Sequence, residues 1–333
     1  MTVRLNESSS SRAEIGVVVT AHGADSLVLE TLDSLAGQSV PPSAVFVVFD
    51  GPIPLLHEAV ESHPAVTELL VLDHPSGGPA TPRNAGFHVI RDRTEAVCFL
   101  DHDDIVHPDF ILVVAELLAT HAHASLFALD FEQWDHGTPR VSLSPPSPSP
   151  IPTHPLSLND YLAATGSVLP SFTVIRNEIA SSVRDAGTIF DADFPSNQDY
   201  EAFVRVLAQH QAVRCEWKGG WYRLISTSIS ANGAHSWACR AKACERLAGW
   251  FAARGDSKLQ SRFKRSRGSA LRTSARHKWV QGHRLPALAM LGMEFLRRGD
   301  VRYPGLMVAL MAGLDSRSAR LSGGDARSAY RSG

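Results

Sequence analysis

The sequence is poor in cysteine and shows none of the cysteine patterns that stabilise small domains. Its four cysteines, Cys98, Cys215, Cys239 and Cys244, have neither CxxC pairing nor the spacing of a metal site. This excludes a disulfide framework and a zinc module as the basis of the fold, and we expect a protein of the reducing cytoplasm. Cys98 lies inside an apolar run, which predicts that it packs as a small hydrophobic side chain.

Long apolar runs are also missing. The longest two near the C-terminus, residues 285–296 and 304–314, are shorter than the roughly 18–20 residues that span a bilayer, so we interpret them as packed helices. Residues 1–13 lack the apolar centre of a signal peptide and are typical of a short disordered leader. No Ser-His-Asp or Cys-His arrangement is evident, which argues against a covalent nucleophile.

The formal net charge is only −2, but the charge is unevenly distributed. Residues 236–333 contain 20 Lys and Arg against 6 Asp and Glu, whereas residues 1–235 contain 12 against 28. A basic part of this kind can dock on the acidic part, or it can meet an anionic membrane surface, a phosphate-bearing acceptor or nucleic acid. Composition alone leaves these alternatives open.

The first half of the chain alternates short apolar runs with helical patterns. Most of the runs are continuous rather than alternating, as expected for strands that are covered on both faces. They occupy residues 15–21, 44–49, 68–72, 96–100 and 125–129. After the first run, Val28, Leu32 and Leu35 recur at helical spacing between a capping Asp25 and a terminating Gly37. The pattern predicts an α/β fold with a mainly parallel sheet flanked by helices.

Proline and serine mark other boundaries. Thr81 and Pro82 predict the start of a third helix, and Pro108 predicts another. Residues 142–155 are dense in Pro and Ser without a helical or strand period, so we expect an extended, solvent-exposed loop there. Further strands are expected in SFTVI and AVRCEW, around a helix built on NQDYEAFVRVLAQH, and from residue 236 the pattern is helical.

An acidic cluster follows one of the predicted strands. The sequence FLDHDD places Asp101, Asp103 and Asp104 together, and such carboxylates persist only where a cation or a hydrogen-bond network offsets their repulsion. Mg²⁺ and Mn²⁺ prefer oxygen ligands of this kind. Ligands of open α/β sheets bind beyond the carboxyl ends of the strands, so Asp50 and the segment 77–83 should face the same crevice. The combination suits a nucleoside diphosphate.

Six segments occur in the order and approximate spacing seen in one enzyme family. They are IGVVVTAHG, FVVFDGP, GGPATPRNAG, FLDHDD, NQDYEAFVR and WYRLISTSIS. Over residues 14–232 the chain thereby resembles the family-2 glycosyltransferases of the GT-A fold. The resemblance implies an enzyme that moves a sugar from a nucleotide-sugar donor to an acceptor hydroxyl with inversion at the anomeric carbon. It also implies UDP as the expected nucleotide and Mn²⁺ or Mg²⁺ as the cofactor of a single displacement.

The resemblance assigns the donor site residue by residue. Ala21, His22 and Asp50 match the residues that hold the nucleobase and the ribose. Arg83 and Asn84 match an Arg-Asn pair that lies beside the nucleotide.

The same resemblance assigns the reacting centre. Asp101 and Asp103 match the DxD motif, whose first acid tends toward the ribose and whose second tends toward the metal on the diphosphate. Asp199 matches the general base, which takes the proton of the attacking hydroxyl. Tyr222 and Arg223 match a Tyr-Arg pair near the end of the catalytic domain.

Three positions depart from the family pattern. Phe49 stands where the second strand usually has an acid, Gln198 replaces the acid before the general base, and Ile225 stands where relatives often have a histidine, a contact that His235 could supply. Gln198 and Ile225 keep open an alternative, a non-catalytic module that binds nucleotide or a partner. A haloacid-dehalogenase-like phosphohydrolase also uses DxD, but it needs the motif on its first strand and a second acidic cluster.

The expected organisation has a catalytic domain followed by a basic extension. The parts are a leader at 1–13, a GT-A-like domain at 14–235, a basic helical extension at 236–315 and a flexible tail at 316–333. The extension could hold a cytoplasmic enzyme near an anionic or lipid-linked acceptor at the membrane surface, and we expect no nucleic-acid partner. Polysaccharide, glycolipid and natural-product glycosylation all suit such an enzyme.

Several polar residues near the motifs have simpler interpretations. Asp104 and Asp109 are interpreted as charges at helix starts rather than as ligands, because acids are favoured at a helix N-terminus. His102, His107 and His136 are interpreted as exposed or hydrogen-bonded structural residues.

Overall fold

A computed structural model describes residues 13–23, 26–146, 151–225, 233–315 and 317–318. These residues form a sheet of nine strands in the order β3-β2-β1-β4-β8-β6-β9-β5, with β7 paired to β9. The strands are β1 (Ile15–Ala21), β2 (Ala44–Phe49), β3 (Glu68–Val71), β4 (Ala96–Asp101), β5 (Ile105–Val106), β6 (Ala124–Asp135), β7 (Thr153–Pro155), β8 (Thr173–Arg176) and β9 (Gln211–Leu224).

Eleven α-helices lie in the described residues. They are α1 (Leu27–Ala36), α2 (Pro54–Glu61), α3 (Ala80–Ile90), α4 (Phe110–Thr120), α5 (Leu158–Ala163), α6 (Ala180–Val183), α7 (Gln198–Gln209), α8 (Gly233–Ala253), α9 (Ser257–Val280), α10 (Arg284–Arg298) and α11 (Arg302–Met311). No helix of the described chain is long and apolar enough to cross a membrane.

The mainly parallel α/β sheet predicted from the apolar runs is confirmed. Strands β3, β2, β1 and β4 pair in parallel, and so do β6 and β9, whereas β5, β7 and β8 pair antiparallel. Both faces of the parallel part are buried. Val18 and Phe46 point into one core and Val17 and Val47 into the other, which explains why the runs are apolar at every position.

The strand register brings the candidate site together. Ala21 lies opposite Phe49 and Thr20 lies opposite Asp101, so β1, β2 and β4 end at the same edge of the sheet. The residues that follow these strands, including Asp50, therefore lie side by side. This is the edge where open α/β sheets bind their ligands.

Some predicted helix boundaries differ from the structure by one or two residues. Helix α3 begins at Ala80, so Thr81 is helical and does not cap it, because Pro79 already has helical backbone angles. Helix α4 begins at Phe110 with Asp109 in the N-cap position, two residues after Pro108.

Other predictions fall partly outside the described residues. Asp25 lies outside them, as do most of the predicted leader and tail. The predicted loop 142–155 has neither helix nor strand at 142–146, but Ile151 is buried in the core and the last three residues form β7, because their backbone pairs with β9. All four cysteines are unpaired and buried, and Cys98 packs in the core as predicted.

The C-terminal helices continue the core of the sheet domain. Helix α8 places Cys244, Leu247 and Phe251 in the same core cluster as Tyr161 and Phe203. Helices α10 and α11 pack against α9 in a separate small cluster. The predicted domain boundary at residue 235 thus falls inside α8, where the chain shows no break in packing.

Candidate active site

The acidic turn after β4 is held in place from the helix below it. The Thr31 hydroxyl of α1 lies 2.7 Å from the carbonyl oxygen of His102 and 2.8 Å from that of Asp104. Thr31 is fully buried, so these bonds are shielded from water. The turn is therefore fixed before any ligand arrives.

Arg83 supplies the positive charge beside the cluster. Its Nη2 forms an ion pair with Oδ1 of Asp101, and its guanidinium lies 5.4 Å from the ring centre of Phe190. The Arg83 side chain is only 3% exposed, and its other two nitrogens find no hydrogen-bond partner in the described part of the chain. Fixing Asp101 is thus the contact that the structure gives to Arg83, and a direct contact with nucleotide stays a prediction.

Asp104 is a buried structural residue. Its carboxylate accepts hydrogen bonds from the Ser171 hydroxyl at 2.6 Å and from the Arg223 backbone N–H at 3.0 Å. Burial, and then the charges of Asp103 and Asp101, raise the pKa of Asp104 well above its usual range. The interpretation of Asp104 as a helix-start charge was wrong, because the residue lies in the turn between two strands and packs inward. Asp109 does stand at a helix start.

Asp103 keeps a half-exposed side chain at the crevice. Burial, and then the neighbouring charge of Asp101, raise its pKa above the usual range. Its backbone carbonyl accepts a hydrogen bond of 2.6 Å from Nε of Arg223. A cation bound here would offset the repulsion that raises this pKa.

The loop before α3, which contains Gly77 and Gly78, connects β2 to the site. Oδ1 of Asp50 accepts the backbone N–H of Ser76 at 2.8 Å, which holds the loop against β2. Gly77 has a φ of +82°, and a Cβ on Gly78 would lie 2.6 Å from the Cα of Pro195. Glycine is therefore required where the loop meets the segment that leads into α7.

The nucleobase candidates lie at the end of β1. Ala21 is buried, and its carbonyl accepts the backbone N–H of Asp50. His22 is exposed, and its ring meets the ring of His102 edge-on at 5.0 Å. The structure thus brings Ala21, His22 and Asp50 to one edge.

Asn84 connects α3 to the segment that carries the candidate base. Its side-chain N–H donates to the carbonyl of Phe190 at 2.8 Å, and its Oδ1 accepts the N–H of Phe190 at 3.1 Å. Asp199 stands half-buried in the first turn of α7, nine residues further along the chain. Because both ends of the Asn84 amide are used by Phe190, Asn84 contributes to the site by positioning this segment.

Arg223 ties the end of β9 to α1 and to the end of β6. Its Nη2 lies 2.8 Å from Glu30 of α1, its Nη1 lies 3.2 Å from Nδ1 of His136, and its guanidinium stacks 4.3 Å from the ring of Trp134. Tyr222 beside it meets Phe131 edge-on at 5.9 Å. The predicted Tyr-Arg pair thus reaches the acidic turn through Arg223.

The described residues contain no group of three or more His, Cys, Asp and Glu side chains that could hold a metal ion by themselves. Two carboxylates, Asp101 and Asp103, are available. Mg²⁺ is commonly held by one or two carboxylates together with substrate phosphates. The donor set therefore fits an ion that binds together with the diphosphate.

Sequence reasoning missed the residues that support the turn. Thr31 of α1 and Ser171, before β8, bond the turn itself, whereas Glu30 of α1 bonds Arg223. His136, which follows β6, also contacts Arg223, in keeping with the structural role predicted for it. Ser171 also accepts the backbone N–H of Asp101 at 3.1 Å. None of these residues belongs to a recognisable motif, so only the tertiary structure identifies them.

The fold is that of the GT-A glycosyltransferases. The chain belongs to glycosyl transferase family 2, since the model of that family matches residues 16–182, which is half of the sequence. The comparison with curated proteins gives no match.

Solved structures with this fold include bound nucleotide sugars. TarS 1-349 of S. aureus in complex with UDP-GlcNAc has a TM-score of 0.62 at 16% identity, covering 90% of this chain and 92% of that one. The mannosyltransferase PcManGT from Pyrobaculum calidifontis, in complex with GDP-Man and Mn²⁺, has a TM-score of 0.54 at 15% identity, covering 95% and 88%. The chain spans about half, 55%, of the longer TarS structure.

Proposed function

We propose that this protein transfers a sugar from a nucleoside-diphosphate sugar, with UDP the expected nucleotide, to an acceptor hydroxyl with inversion. The observation that carries the proposal is the meeting of Asp50, Asp101 and Asp103 at the carboxyl edge of β2 and β4, beside the buried charge of Arg83. The complexes of TarS with UDP-GlcNAc and of PcManGT with GDP-Man support the donor class.

The donor end of the site is assigned to the strand edge. Ala21, His22 and Asp50 are proposed to hold the nucleobase and ribose, and Asp101 to orient the ribose. Asp101 is suited to this role because its ion pair with Arg83 fixes one carboxylate oxygen. Fixed polar groups lose little freedom when a ligand binds, which favours affinity.

Asp103, with Asp101, would hold Mn²⁺ or Mg²⁺. When bound, such an ion stabilises the negative charge that develops on the leaving diphosphate. The Mn²⁺ in the PcManGT complex supports this choice. Arg223 contributes by holding the Asp103 carbonyl, and Tyr222 accompanies it at the end of β9.

Asp199 is proposed as the general base. A carboxylate within hydrogen-bond reach of the acceptor hydroxyl removes its proton as the new bond forms. The Gly78 contact with Pro195 and the Asn84 contact with Phe190 bring the start of α7 beside the start of α3. The single displacement then needs no covalent nucleophile.

The basic C-terminal part bears on the acceptor and on the location. We propose a cytoplasmic enzyme with an anionic or lipid-linked acceptor, because the C-terminal part is strongly basic. Part of that charge is used internally: Arg246 of α8 pairs with Asp191 at 2.7 Å and with Asp193 at 3.0 Å.

A thermal-shift panel tests the donor site. UDP, GDP, dTDP and CDP are each added with and without Mn²⁺ to the wild type, to Asp103→Asn and to Asp92→Asn, an exposed control. A ligand at 100 times its Kd stabilises the native state by about 2.7 kcal/mol. We expect one nucleotide to raise the Tm of the wild type and the control only with metal, and to fail on Asp103→Asn. No shift with any nucleotide would contradict the proposal.

A non-catalytic nucleotide-binding module remains the second candidate. It is favoured by Gln198, which is buried beside Asp199 with a side-chain oxygen that has no hydrogen-bond partner in the described ranges. This candidate predicts a nucleotide shift without hydrolysis or transfer of any sugar nucleotide. Turnover of the donor that binds would exclude it.

A further inference from the structure

Helices α10 and α11 expose an unusual number of large apolar side chains. Leu285 is 80% exposed, Leu296 is 83% exposed and Val301 is 74% exposed. We call six of these residues, on α10, on α11 and at the N-cap of α11, the outer face: Leu285, Met293, Leu296, Val301, Val308 and Met311. Single exposed apolar residues are ordinary, but a group on two consecutive helices marks a binding surface.

The outer face lies opposite the side that packs into the protein. On α10 the buried residues Ala287 and Leu291 face α9, whereas Leu285, Met293 and Leu296 fall on the other side of the helix at 100° per residue. A helix that only covers a core would be polar on this second side. The second apolar side of α10 therefore has no role in the packing of the described chain.

Helix α11 repeats the arrangement. Tyr303, Leu306 and Leu310 are buried, whereas Val301 and Val308 lie on the opposite side. Both helices pack on α9 with their buried sides, so their apolar sides point away from it. The outer face is thus shared by the two helices.

The surroundings of the outer face are basic. Residues 257–315 contain 12 Lys and Arg against 3 Asp and Glu. The three acids are each bound by an arginine within the extension: Glu294 by Arg267, Asp300 by Arg302 and Asp315 by Arg276. The extension therefore keeps an excess of positive charge. Arg284 and Arg297, near the two ends of α10, are both exposed; Arg284 lies 5.4 Å from the Trp279 ring, and Arg297 lies 3.6 Å from Glu294 at the rim of the protein.

We propose that the outer face binds the surface of an anionic lipid bilayer. Its apolar side chains would enter the boundary between headgroups and acyl chains, and Arg284 and Arg297 would meet anionic headgroups. A symmetric dimer that pairs this face with the same face of a second copy fits less well, because it would bring the positive charge of one extension against that of the other. The inference stands on the extension alone and does not require glycosyl transfer.

Vesicle co-sedimentation tests the proposal with the full-length chain. Vesicles of phosphatidylcholine alone are compared with vesicles that also contain phosphatidylglycerol. The variants are Leu285→Glu with Leu296→Glu, Arg284→Glu with Arg297→Glu, and Leu55→Glu, a control at an 85% exposed leucine of α2. The replaced leucines are exposed, so the Tm and the circular dichroism spectrum of their variants should stay at wild-type values. The arginine variant gives up the contacts with Trp279 and Glu294, so the same two measurements establish that it is folded before its binding is compared.

We expect the wild type and Leu55→Glu to bind the anionic vesicles, with binding weakened by salt, and to bind neutral vesicles poorly. Both double variants should lose at least about tenfold in partitioning. Binding of Leu285→Glu/Leu296→Glu at the wild-type level would overturn the proposal. The proposal would also fail if the wild type does not bind anionic vesicles and sedimentation equilibrium shows a dimer that Leu285→Glu/Leu296→Glu disrupts. That result would make the outer face an interface between copies of this chain.

Discussion

At the scale of single residues, three neighbouring aspartates differ because their surroundings differ. Asp101 is paired with Arg83, Asp103 remains half-exposed, and Asp104 is buried under hydrogen bonds from Ser171 and Arg223. The charge repulsion of the cluster is thus met by one ion pair and one hydrogen-bond network. Only Asp101 and Asp103 remain suited to a ligand.

Asp199→Asn should lower the rate of sugar transfer without weakening nucleotide binding. Removal of a general base lowers kcat by about 10²–10⁴-fold, whereas the nucleotide site at the strand edge is untouched. We therefore expect the thermal shift with nucleotide to match the wild type while sugar transfer falls by that factor. Asp185→Asn, at an exposed aspartate of the preceding segment, is the matched control and should keep wild-type kcat. Full activity of Asp199→Asn would remove this residue from the reaction.

At the scale of elements, α8 holds the start of α7. Asn197, directly before α7, has a φ of 62°, a left-handed conformation that is strained in most residues other than glycine. Its side-chain N–H donates to the carbonyl of Ser236 at 3.0 Å, and Arg240 reaches its Oδ1 at 3.4 Å. The C-terminal part of the chain therefore helps to place Asp199.

Two substitutions of Asn197 separate backbone strain from positioning. Asn197→Ala loses the contact with Ser236 and adds left-handed strain, which costs about 1–2 kcal/mol. Asn197→Gly accepts the backbone conformation but still lacks the contact. We expect urea unfolding to show most of the stability recovered in Asn197→Gly, with kcat below wild type in both variants. Wild-type kcat in Asn197→Gly would show that the link between α7 and α8 does not position the base.

The extension contains a buried ion pair that makes its stability depend on pH. Arg267 binds Glu294 at 2.7 and 2.8 Å, and this hydrogen-bonded contact lowers the pKa of Glu294. The pKa of Glu294 is lower in the folded state than in the unfolded state, where it is near 4.5. The ion pair therefore stabilises the fold at pH values above the unfolded pKa, and this stabilisation is lost as the pH falls through the folded pKa.

Glu294→Gln should remove this part of the acid sensitivity. At pH 7 the variant should lose about 3 kcal/mol, because Arg267 stays buried with a weaker partner. Between about pH 5 and pH 3 its stability should then fall less steeply than that of the wild type. Urea unfolding over this range measures both effects, with Glu14→Gln as the exposed control. Parallel pH profiles of wild type and Glu294→Gln would contradict the assignment.

The strands and helices that could be predicted are those whose own sequence shows an apolar run or a helical period. Strands β1 and β2 match their apolar runs residue for residue, and α7 matches its helical pattern. The position of β8 between β4 and β6, and the strand β7 inside a Pro-rich segment, could not be predicted, because pairing partners far away in sequence decide them.

The candidate site likewise contains residues that the sequence predicted and residues that it did not. Asp101 and Asp103 were found because a short motif follows a strand, and strand register alone brings them to Asp50. Ser171 and Thr31 were not found, because a buried serine or threonine becomes a support only through contacts about 70 residues away in sequence.

At the scale of the whole molecule, the acidic and basic parts share one core. Arg246 pairs with Asp191 and Asp193 across the two parts, and the apolar side of α8 packs under α7. The basic part is thus partly docked on the acidic part, as one of the alternatives from composition predicted. Its outermost helices, α10 and α11, contribute nothing to the shared core cluster.

Two truncations should therefore behave differently. A chain that ends at residue 235 loses Leu247, Phe251 and Phe263 from the shared core, which are each buried to 3% exposure or less. At about 1.5–3 kcal/mol per buried side chain, the loss of roughly 5–9 kcal/mol approaches the whole stability of a typical domain. A chain that ends at residue 282 keeps that core and lacks α10, α11 and the residues after them, together with the ion pairs of Arg267 with Glu294 and of Arg276 with Asp315.

We expect the chain ending at 235 to lack a cooperative thermal transition, and the chain ending at 282 to melt cooperatively and to keep the nucleotide-dependent shift. Because the shorter chain also loses the Ser236 and Arg240 contacts to Asn197, its candidate base would be misplaced even if the sheet formed. Circular dichroism melting with and without nucleotide distinguishes the two chains. Cooperative melting of the chain ending at 235, with nucleotide binding retained, would establish residues 14–235 as an independent domain and would reduce α8 to an appendage.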